Sequence, residues 1–234
     1  MSTLEGGGKI ITDKLIFCVD AANIRSYVSG STNWNDLSKT NSVGTLINGP
    51  IYNSSNGGSI IFDGINEYVS FDNTGQYTSP SITIEMLIKP SNVSLNYYEN
   101  ILRLDDGGLP ALMLAFQDGG TTLSFGMFTS NDGYGELDVS INSQDYNGKW
   151  KHITATYTSG AKKLYVNSVL VGENLTLTGD LVPNNTAPLA IGTWLSNTSE
   201  SFPGNISIVR IYSKALSQKE VIQNYKVTKS RFKL

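Results

Sequence analysis

The sequence of 234 residues has little of three things that often carry chemistry in proteins: cysteine, histidine and charge. Cys18 is the only cysteine and His152 the only histidine, so one chain can form neither an internal disulfide nor a zinc site with several histidines. A Ser–His–Asp triad would have to use His152. Because His152 lies two residues after Trp150 in a strand-like segment, we interpret it as a packed residue.

Charged residues make up only 16% of the chain, and the net charge is −3. No stripe of Lys and Arg runs through the body of the sequence, so we do not expect nucleic acid as a partner. No apolar run approaches the roughly 20 residues of a membrane span, which argues against membrane insertion. Residues 1–14 lack the apolar centre of a secretory signal, so export by the usual route is not expected.

What the sequence does contain is a series of short β-rich runs separated by clusters of Gly, Asn, Asp and Pro. This spacing predicts one all-β domain built as an antiparallel sandwich. The predicted strands are 15–19, 59–63, 68–71, 81–89, 100–104, 111–116, 123–128, 136–140, 151–157, 162–166, 169–173, 189–193 and 206–212. We divide the chain into an N-terminal arm (1–13), the sandwich (14–216) and a C-terminal helix with a basic tail (217–234).

Two local patterns support the strand assignment. The run 82–88 alternates, with Glu85 on the mixed face and four apolar residues on the other, namely Ile82, Ile84, Met86 and Ile88. Asn167 and Ser168 separate two strand-like runs by only two residues, and Asn tolerates a positive φ. This spacing predicts a tight hairpin.

The C-terminal region predicts one helix. Ser217 and Glu220 have the spacing of a capping box, and the helix is expected to run to about Thr228. An apolar stripe that would dock on a sheet or on a neighbouring subunit is formed by Val221, Ile222 and Tyr225. The basic residues that follow suit the negative end of a helix. Alternatively, this tail uses Phe232 to anchor the domain to a partner.

Two ordered motifs resemble a known family. Residues 149–157, with Trp150 and His152, precede a hairpin at 163–167, and this arrangement resembles the central signature of laminin-G-like domains of the concanavalin A-like lectin/glucanase superfamily. Residues 189–192 and 204–217 are similar to the closing strand and helix cap of that family. The resemblance implies a concanavalin-type jelly-roll sandwich.

The first third of the chain extends the resemblance. Residues 62–69 are similar to the opening strand and turn of the family. The combination of residues 19–23, the Trp34 loop and an ending with residues 224–225 and 230–232 resembles the form found in tailed-phage virion proteins. That form implies a virion location after assembly in the host cytoplasm, other capsid or tail proteins as partners, and a homo-oligomer. Ser207 replaces a usual Asp, and Asn167-Ser168 replaces a common Asp-Gly, so two carboxylates are lost.

Concanavalin-type glycosidases need two carboxylates on one strand face. The strand at 82–88 offers Glu85 alone, and we expect no other strand to carry an acidic pair at i and i+2 in an apolar frame. The protein is therefore expected not to be an enzyme.

Calcium is the one ion with a candidate site, because hard cations prefer carboxylate, amide and backbone oxygens. The candidate ligands are Asp63, Asn66, Glu67 and Asp72, with Asp20 alongside if the first strand lies next to them. The alternative is that these residues simply form turns.

A sugar site needs exposed aromatic rings to stack on the sugar and polar partners for its hydroxyls. The candidate residues are Tyr97, Tyr98, Asp132, Tyr134 and Trp194; alternatively, the aromatic ones cover one end of the core. The leading hypothesis is a non-catalytic virion surface protein, a capsid decoration or a tail or head fibre component. It would present a lectin-like domain to cell-surface carbohydrate. The alternatives are a free carbohydrate-binding lectin and a glycoside hydrolase.

Overall fold

The computed structural model describes residues 8–73, 75–77, 79–105, 110–182, 184 and 186–234. Over these residues the chain forms two stacked antiparallel sheets and one helix. The first sheet contains β1 (Leu15–Asp20), β4 (Ile51–Asn53), β5 (Ser59–Asp63), β7 (Ile82–Pro90), β12 (Lys151–Thr158), β13 (Ala161–Val166), β14 (Val169–Asn174) and β16 (Pro203–Tyr212). Its order is β14-β13-β12-β7-β16-β5-β4, and β1 also pairs with β16.

The second sheet has the order β11-β10-β9-β8-β15-β6-β3-β2. Its strands are β2 (Asn33–Asn35), β3 (Val43–Ile47), β6 (Tyr68–Phe71), β8 (Glu99–Leu104), β9 (Leu112–Gln117), β10 (Thr122–Thr129), β11 (Gly133–Ser140) and β15 (Leu189–Ile191). The helix is α1 (Gln218–Phe232), and short 3₁₀ turns lie at Ser55–Gly57, Ser143–Asp145 and Thr198–Glu200. The predicted sandwich is confirmed.

All the strands predicted from the sequence are present, with small shifts at their ends. Three further strands, β2, β3 and β4, were not predicted. They are short and partly exposed, so no alternation of apolar and polar residues marks them. They follow β1 in a stretch rich in Asn, Ser, Thr and Gly, which has the composition of a loop.

The main core lies between the two sheets. The apolar face of β7 belongs to it as predicted, since Ile82, Ile84, Met86 and Ile88 are all fully buried. Aromatic rings fill the space around them; for example, Phe17 and Phe71 pack edge to face with their centroids 4.8 Å apart. Burying each such large side chain stabilises the fold by about 1.5–3 kcal/mol.

The predicted hairpin is confirmed by the backbone. Asn167 and Ser168 have φ values of 51° and 66°, and Val166 pairs directly with Val169. Two consecutive positive φ values define the turn type whose twist matches that of paired strands. This hairpin places β14 at the edge of the first sheet.

Helix α1 covers the outer face of the first sheet. Ser217 and Glu220 form the predicted capping box, but the helix continues to Phe232, one turn beyond the predicted end. The predicted stripe is only partly correct: α1 buries Val221 but leaves Ile222 and Tyr225 partly exposed. Its other buried residues are Asn224, Thr228 and Phe232. Two of these are polar, because the sheet beneath presents polar groups. In the described part of the chain, no helix is long and apolar enough to span a membrane.

The end of the helix packs on its own domain. Phe232 is 2% exposed and lies in a small apolar cluster with Leu87 and Ile208, and its ring centroid is 4.7 Å from that of Trp150. Its interpretation as an anchor for a partner is therefore wrong. Arg231 donates to Asp20 at 2.9 Å and to Ser207 Oγ at 2.6 Å, which ties the last helical turn to the first sheet.

Candidate carbohydrate-binding cleft

The outer face of the second sheet carries an open cleft of about 270 Å³. Strands β8, β9 and β11, the Trp194 loop and the last 3₁₀ turn contribute its walls. The lining residues are Tyr98, Asn100, Arg103, Pro110, Met113, Ala115, Gln117, Tyr134, Glu136, Trp194 and Glu200. The cleft is more polar than the core directly beneath it.

Alternation in β9 creates the floor. Leu112, Leu114 and Phe116 point into the core, which leaves the residues between them on the cleft side. Ala115 is small and leaves room above the sheet. Gln117 is 8% exposed, and its amide nitrogen has only a 3.9 Å contact with a methionine sulfur. Among the described residues, nothing donates a hydrogen bond to its amide oxygen.

Arg103 and Trp194 form one fixed wall. The guanidinium of Arg103 pairs with Asp105, and its centre lies 4.2 Å from the ring centroid of Trp194. Trp194 Nε1 donates to Asp105 Oδ1 at 2.9 Å, and Arg103 Nη1 donates to Asn100 Oδ1 at 3.2 Å. The indole is thereby held against the guanidinium, a geometry that favours cation–π attraction.

The opposite wall comes from β11. The Tyr134 hydroxyl donates to Glu136, and Ser124 Oγ lies 3.1 Å from Glu136 Oε2 and 2.6 Å from Asp138 Oδ1. Burial raises the pKa of Tyr134, and the Glu136 carboxylate raises it further. Tyr134 lies across Gly126, where an added Cβ would be 2.5 Å from the tyrosine oxygen. The expectation that no strand carries an acidic pair at i and i+2 is wrong, because β11 carries Glu136 and Asp138.

The predicted sugar-binding residues divide between two places. Tyr98, which is 40% exposed, lines the cleft together with Tyr134 and Trp194. Tyr97 lies beside the cleft, with its ring centroid 4.8 Å from that of Tyr98 and its hydroxyl bonded to an aspartate at 3.0 Å. Asp132 does not line the cleft.

The carboxylate of Asp132 joins two loops, because it accepts bonds from the backbone nitrogen and the hydroxyl of Thr178 at 2.6 and 2.9 Å. These two bonds lower the pKa of Asp132. Sequence reasoning missed the polar cleft residues Arg103, Gln117 and Glu136. The available signal was a polar residue within an otherwise apolar strand.

The structure does not bring the predicted calcium ligands together. Asp63 Oδ1 accepts the Ile65 backbone nitrogen at 2.8 Å, and Glu67 Oε2 accepts that of Asp63 at 2.8 Å, so these carboxylates close a turn that also contains Asn66. Asp72 follows the far end of β6.

Asp20 binds Arg231 instead, and its pairing position on β16 is five residues from that of Asp63, about 16 Å along the strand. In the described part of the chain, no group of three or more His, Cys, Asp or Glu side chains could hold a metal ion.

Glu85, the acid considered for hydrolysis, is fully buried beneath α1. Arg210 Nη1 donates to its Oε1 at 2.5 Å, and Asn224 Nδ2 donates to its Oε2 at 2.5 Å. Burial alone would raise the pKa of Glu85, but the Arg210 guanidinium and the bonds from His152 and Asn224 hold it at about 2. Glu85 is therefore a structural carboxylate that does not reach the cleft.

His152 belongs to the same buried network. Its Nε2 lies 3.0 Å from Glu85 Oε1, and its side chain is fully buried. The interpretation of His152 as a packed residue is confirmed. The N-terminal arm also contacts this network, because the Ile11 backbone nitrogen donates to Asn224 Oδ1 at 2.8 Å and its oxygen accepts from the Tyr212 hydroxyl at 3.1 Å.

Two stacked antiparallel sheets with an open polar and aromatic cleft define a lectin-like β-sandwich. The sequence model of the concanavalin A-like lectin/glucanases superfamily, in its laminin-G form, matches residues 63–222, more than half of the chain. The protein belongs to this superfamily. The predicted jelly-roll fold is confirmed by the solved structures that share it. No curated protein matches the sequence.

Several solved structures share the fold at low sequence identity. The binding domain of botulinum neurotoxin serotype G has a TM-score of 0.72 and 15% identity over 92% of this chain and 51% of its own. The binding domain of Paraclostridial Mosquitocidal Protein 1 has a TM-score of 0.68 and 18% identity over 91% and 52%. This chain thus spans about half the length of these toxin domains.

Domain 4 of a GH43 extracellular arabinanase from Geobacillus stearothermophilus, solved in complex with arabinotriose, is similar over nearly its whole length. It has a TM-score of 0.67 and 21% identity over 91% of this chain and 98% of its own. The likeness to all three structures concerns the fold.

Proposed function

We propose that this protein binds carbohydrate in the cleft of the second sheet and does not hydrolyse it. The observation that carries the proposal is Gln117, a residue only 8% exposed, whose amide lines the cleft without a good hydrogen-bond partner among the described residues. A buried polar group without a partner is costly, so such a group is commonly completed by a ligand or by water.

The other walls of the cleft suit a sugar. Tyr98 offers an exposed aromatic face, on which the apolar side of a sugar ring can stack. Glu136 supplies a carboxylate for sugar hydroxyls. The arabinanase domain was solved with arabinotriose, which supports a sugar as the ligand of this fold.

The test is a glycan array followed by calorimetry on two cleft variants, Tyr98→Ala and Gln117→Met. Each should weaken binding by about tenfold, because each removes one contact worth roughly 1–1.5 kcal/mol. The matched control is Gln144→Met, which changes the same side chain at an exposed position outside the cleft. Unchanged affinity in both cleft variants would show that the binding site lies outside the cleft.

Glu136 and Asp138 give hydrolysis a specific observation as the second candidate. Retaining glycosidases place two carboxyl groups about 5 Å apart across the scissile bond, whereas these two share one wall and converge on Ser124. Release of reducing ends from a bound glycan, lost in Glu136→Gln, would establish an enzyme. We expect binding without release.

For the biological setting we propose display on a phage particle, as a capsid decoration or fibre component assembled as a homo-oligomer. The support is the resemblance of residues 19–23 and the Trp34 loop to virion proteins. Mass spectrometry of purified particles should find this chain. Its absence would leave a free lectin as the better description.

A further inference from the structure

The cleft has an excess of negative charge. Glu136 and Glu200 both line it, and Asp138 lies beside Glu136 on β11. The one cation in its lining, Arg103, is paired with Asp105. None of the ion pairs among the described residues includes Glu136, Asp138 or Glu200. No Lys or Arg nitrogen in that part of the chain therefore lies within 4 Å of these three carboxylates.

The hydrogen bonds within this wall are also incomplete. Ser124 Oγ lies close to carboxylate oxygens of both Glu136 and Asp138, yet a serine hydroxyl has only one hydrogen to donate. One of the two carboxylates therefore lacks this donor. Across the cleft floor, Gln117 is 8% exposed as a residue, and its amide oxygen accepts no hydrogen bond from a described residue. Tyr134 and Ser124 leave acceptor capacity on Glu136 and Asp138, whereas Asn100 and Asn197 already donate to the carboxylate of Glu200.

We propose that the ligand of the cleft is an amino sugar with a free, protonated amine, and that sugars carrying carboxylates are excluded. The inference rests on the proposed function. An ammonium group has three donors and no acceptor, so it can donate to Glu136 on one wall and to the Gln117 oxygen on the floor while neutralising Glu136. A carboxylated sugar would bring a further negative charge next to Glu136 and Glu200, and would be repelled.

Acetylation of the amine separates this proposal from general sugar binding. An N-acetyl group keeps the sugar ring and its hydroxyls but removes the positive charge and two of the donors. The stacking on Tyr98 would remain, so binding should weaken rather than vanish. The difference between the two ligands thus isolates the charge.

The experiment measures the affinity of three oligosaccharides by calorimetry: a glucosamine tetramer, its fully N-acetylated form and a sialylated oligosaccharide. At about pH 6 an amine with the pKa of an α-amino group is protonated. The glucosamine tetramer should bind at least about tenfold more tightly than the acetylated form, as one charge-assisted hydrogen bond provides. The sialylated sugar should not bind.

Glu136→Gln tests the residue. Glutamine keeps an acceptor for Tyr134 and can donate to Ser124, so the wall should stay intact while its charge is lost. The preference for the free amine should fall by about tenfold and binding of the acetylated form should not change. Glu173→Gln, the same change on the edge strand β14, should leave both affinities unaltered, which controls for the net charge of the protein.

Two failures have different meanings. Equal affinity for the aminated and acetylated tetramers, or tighter binding of the sialylated sugar, would overturn the inference and leave carbohydrate binding in place. An equal loss of affinity in Glu136→Gln and Glu173→Gln would also overturn it. If no glycan of any charge binds, the proposed function itself fails.

Discussion

The two outer faces of the sandwich use the same pair of residue types in opposite ways. On the first sheet, Arg210 and Glu85 pair directly across β16 and β7, and α1 covers them. On the second sheet, Arg103 and Glu136 lie in one cross-strand row, but Met113 and Gly126 separate them. Three strand spacings amount to about 14 Å between the backbones.

This difference in register decides what each face can do. Adjacent opposite charges neutralise each other, and a helix can cover this ion pair because Arg210 and Asn224 donate to the two carboxylate oxygens of Glu85. Charges separated by two strands cannot pair, so the second face stays open and its acid remains available to a ligand. The covered face supports the fold, and we assign binding to the open face.

The substitution Arg210→Met should cause the greatest loss of stability. It leaves Glu85 buried without its main counter-charge, and we expect the free energy of unfolding to fall by about 3–5 kcal/mol. Denaturant titration at neutral pH measures this. The matched change on the open face, Glu136→Gln, should cost less than about 1 kcal/mol. Similar losses of stability in the two variants would show that the charged residues of both faces contribute equally to the fold.

Lys162 tests the charge beneath the open face, because it lies inside the sandwich. Its Nζ donates to the Gly135 oxygen at 2.7 Å, and burial lowers its pKa to about 7, partly opposed by Glu136 and Asp138. The unfolded chain binds this proton up to about pH 10.5, so stability should rise with pH between 7 and 10.5. Lys162→Met should therefore stabilise the protein by roughly 4 kcal/mol at pH 7, at about 1.4 kcal/mol per pKa unit, and much less near pH 10.5. Chemical denaturation across this range checks it; a constant difference would contradict a buried neutral amine.

Glu99 changes the stability of the protein with pH in the opposite direction. Its Oε1 accepts the backbone nitrogens of Leu95 and Asn96 at 3.0 and 3.1 Å, and burial raises its pKa to about 8. The folded protein holds this proton more tightly, so stability should be full below pH 4.5 and decline as pH rises to 8. Glu99→Gln should match the wild type near pH 4.5 and be more stable by roughly 4 kcal/mol at pH 8. Melting curves at the two pH values distinguish this from a difference that does not depend on pH.

The fold was readable from the sequence where local patterns are strong. Alternation at Ile82–Pro90, the two-residue hairpin turn and the Ser217 capping box all depend on neighbours in the chain, and each was predicted. The added helical turn to Phe232 was not, because it depends on packing against Trp150, which is distant in sequence.

The cleft was only partly predictable for the same reason. Tyr98, Tyr134 and Trp194 were found because aromatic residues in polar loops stand out. Gln117 and Glu136 were missed, because only strand order shows that their outward positions face one space. Glu85 was judged as an isolated acid, since its partner Arg210 lies 125 residues further along the chain.

The bonds that join the arm, α1 and the first sheet also give the molecule an orientation. Ile11 meets Asn224, and Arg231 reaches Asp20, so both the arm and the helix lie on the side of the sandwich away from the cleft. Whatever holds the protein by this side would leave the cleft pointing away from the support. If the proposed attachment uses the arm or α1, the cleft is the face left open to the surroundings.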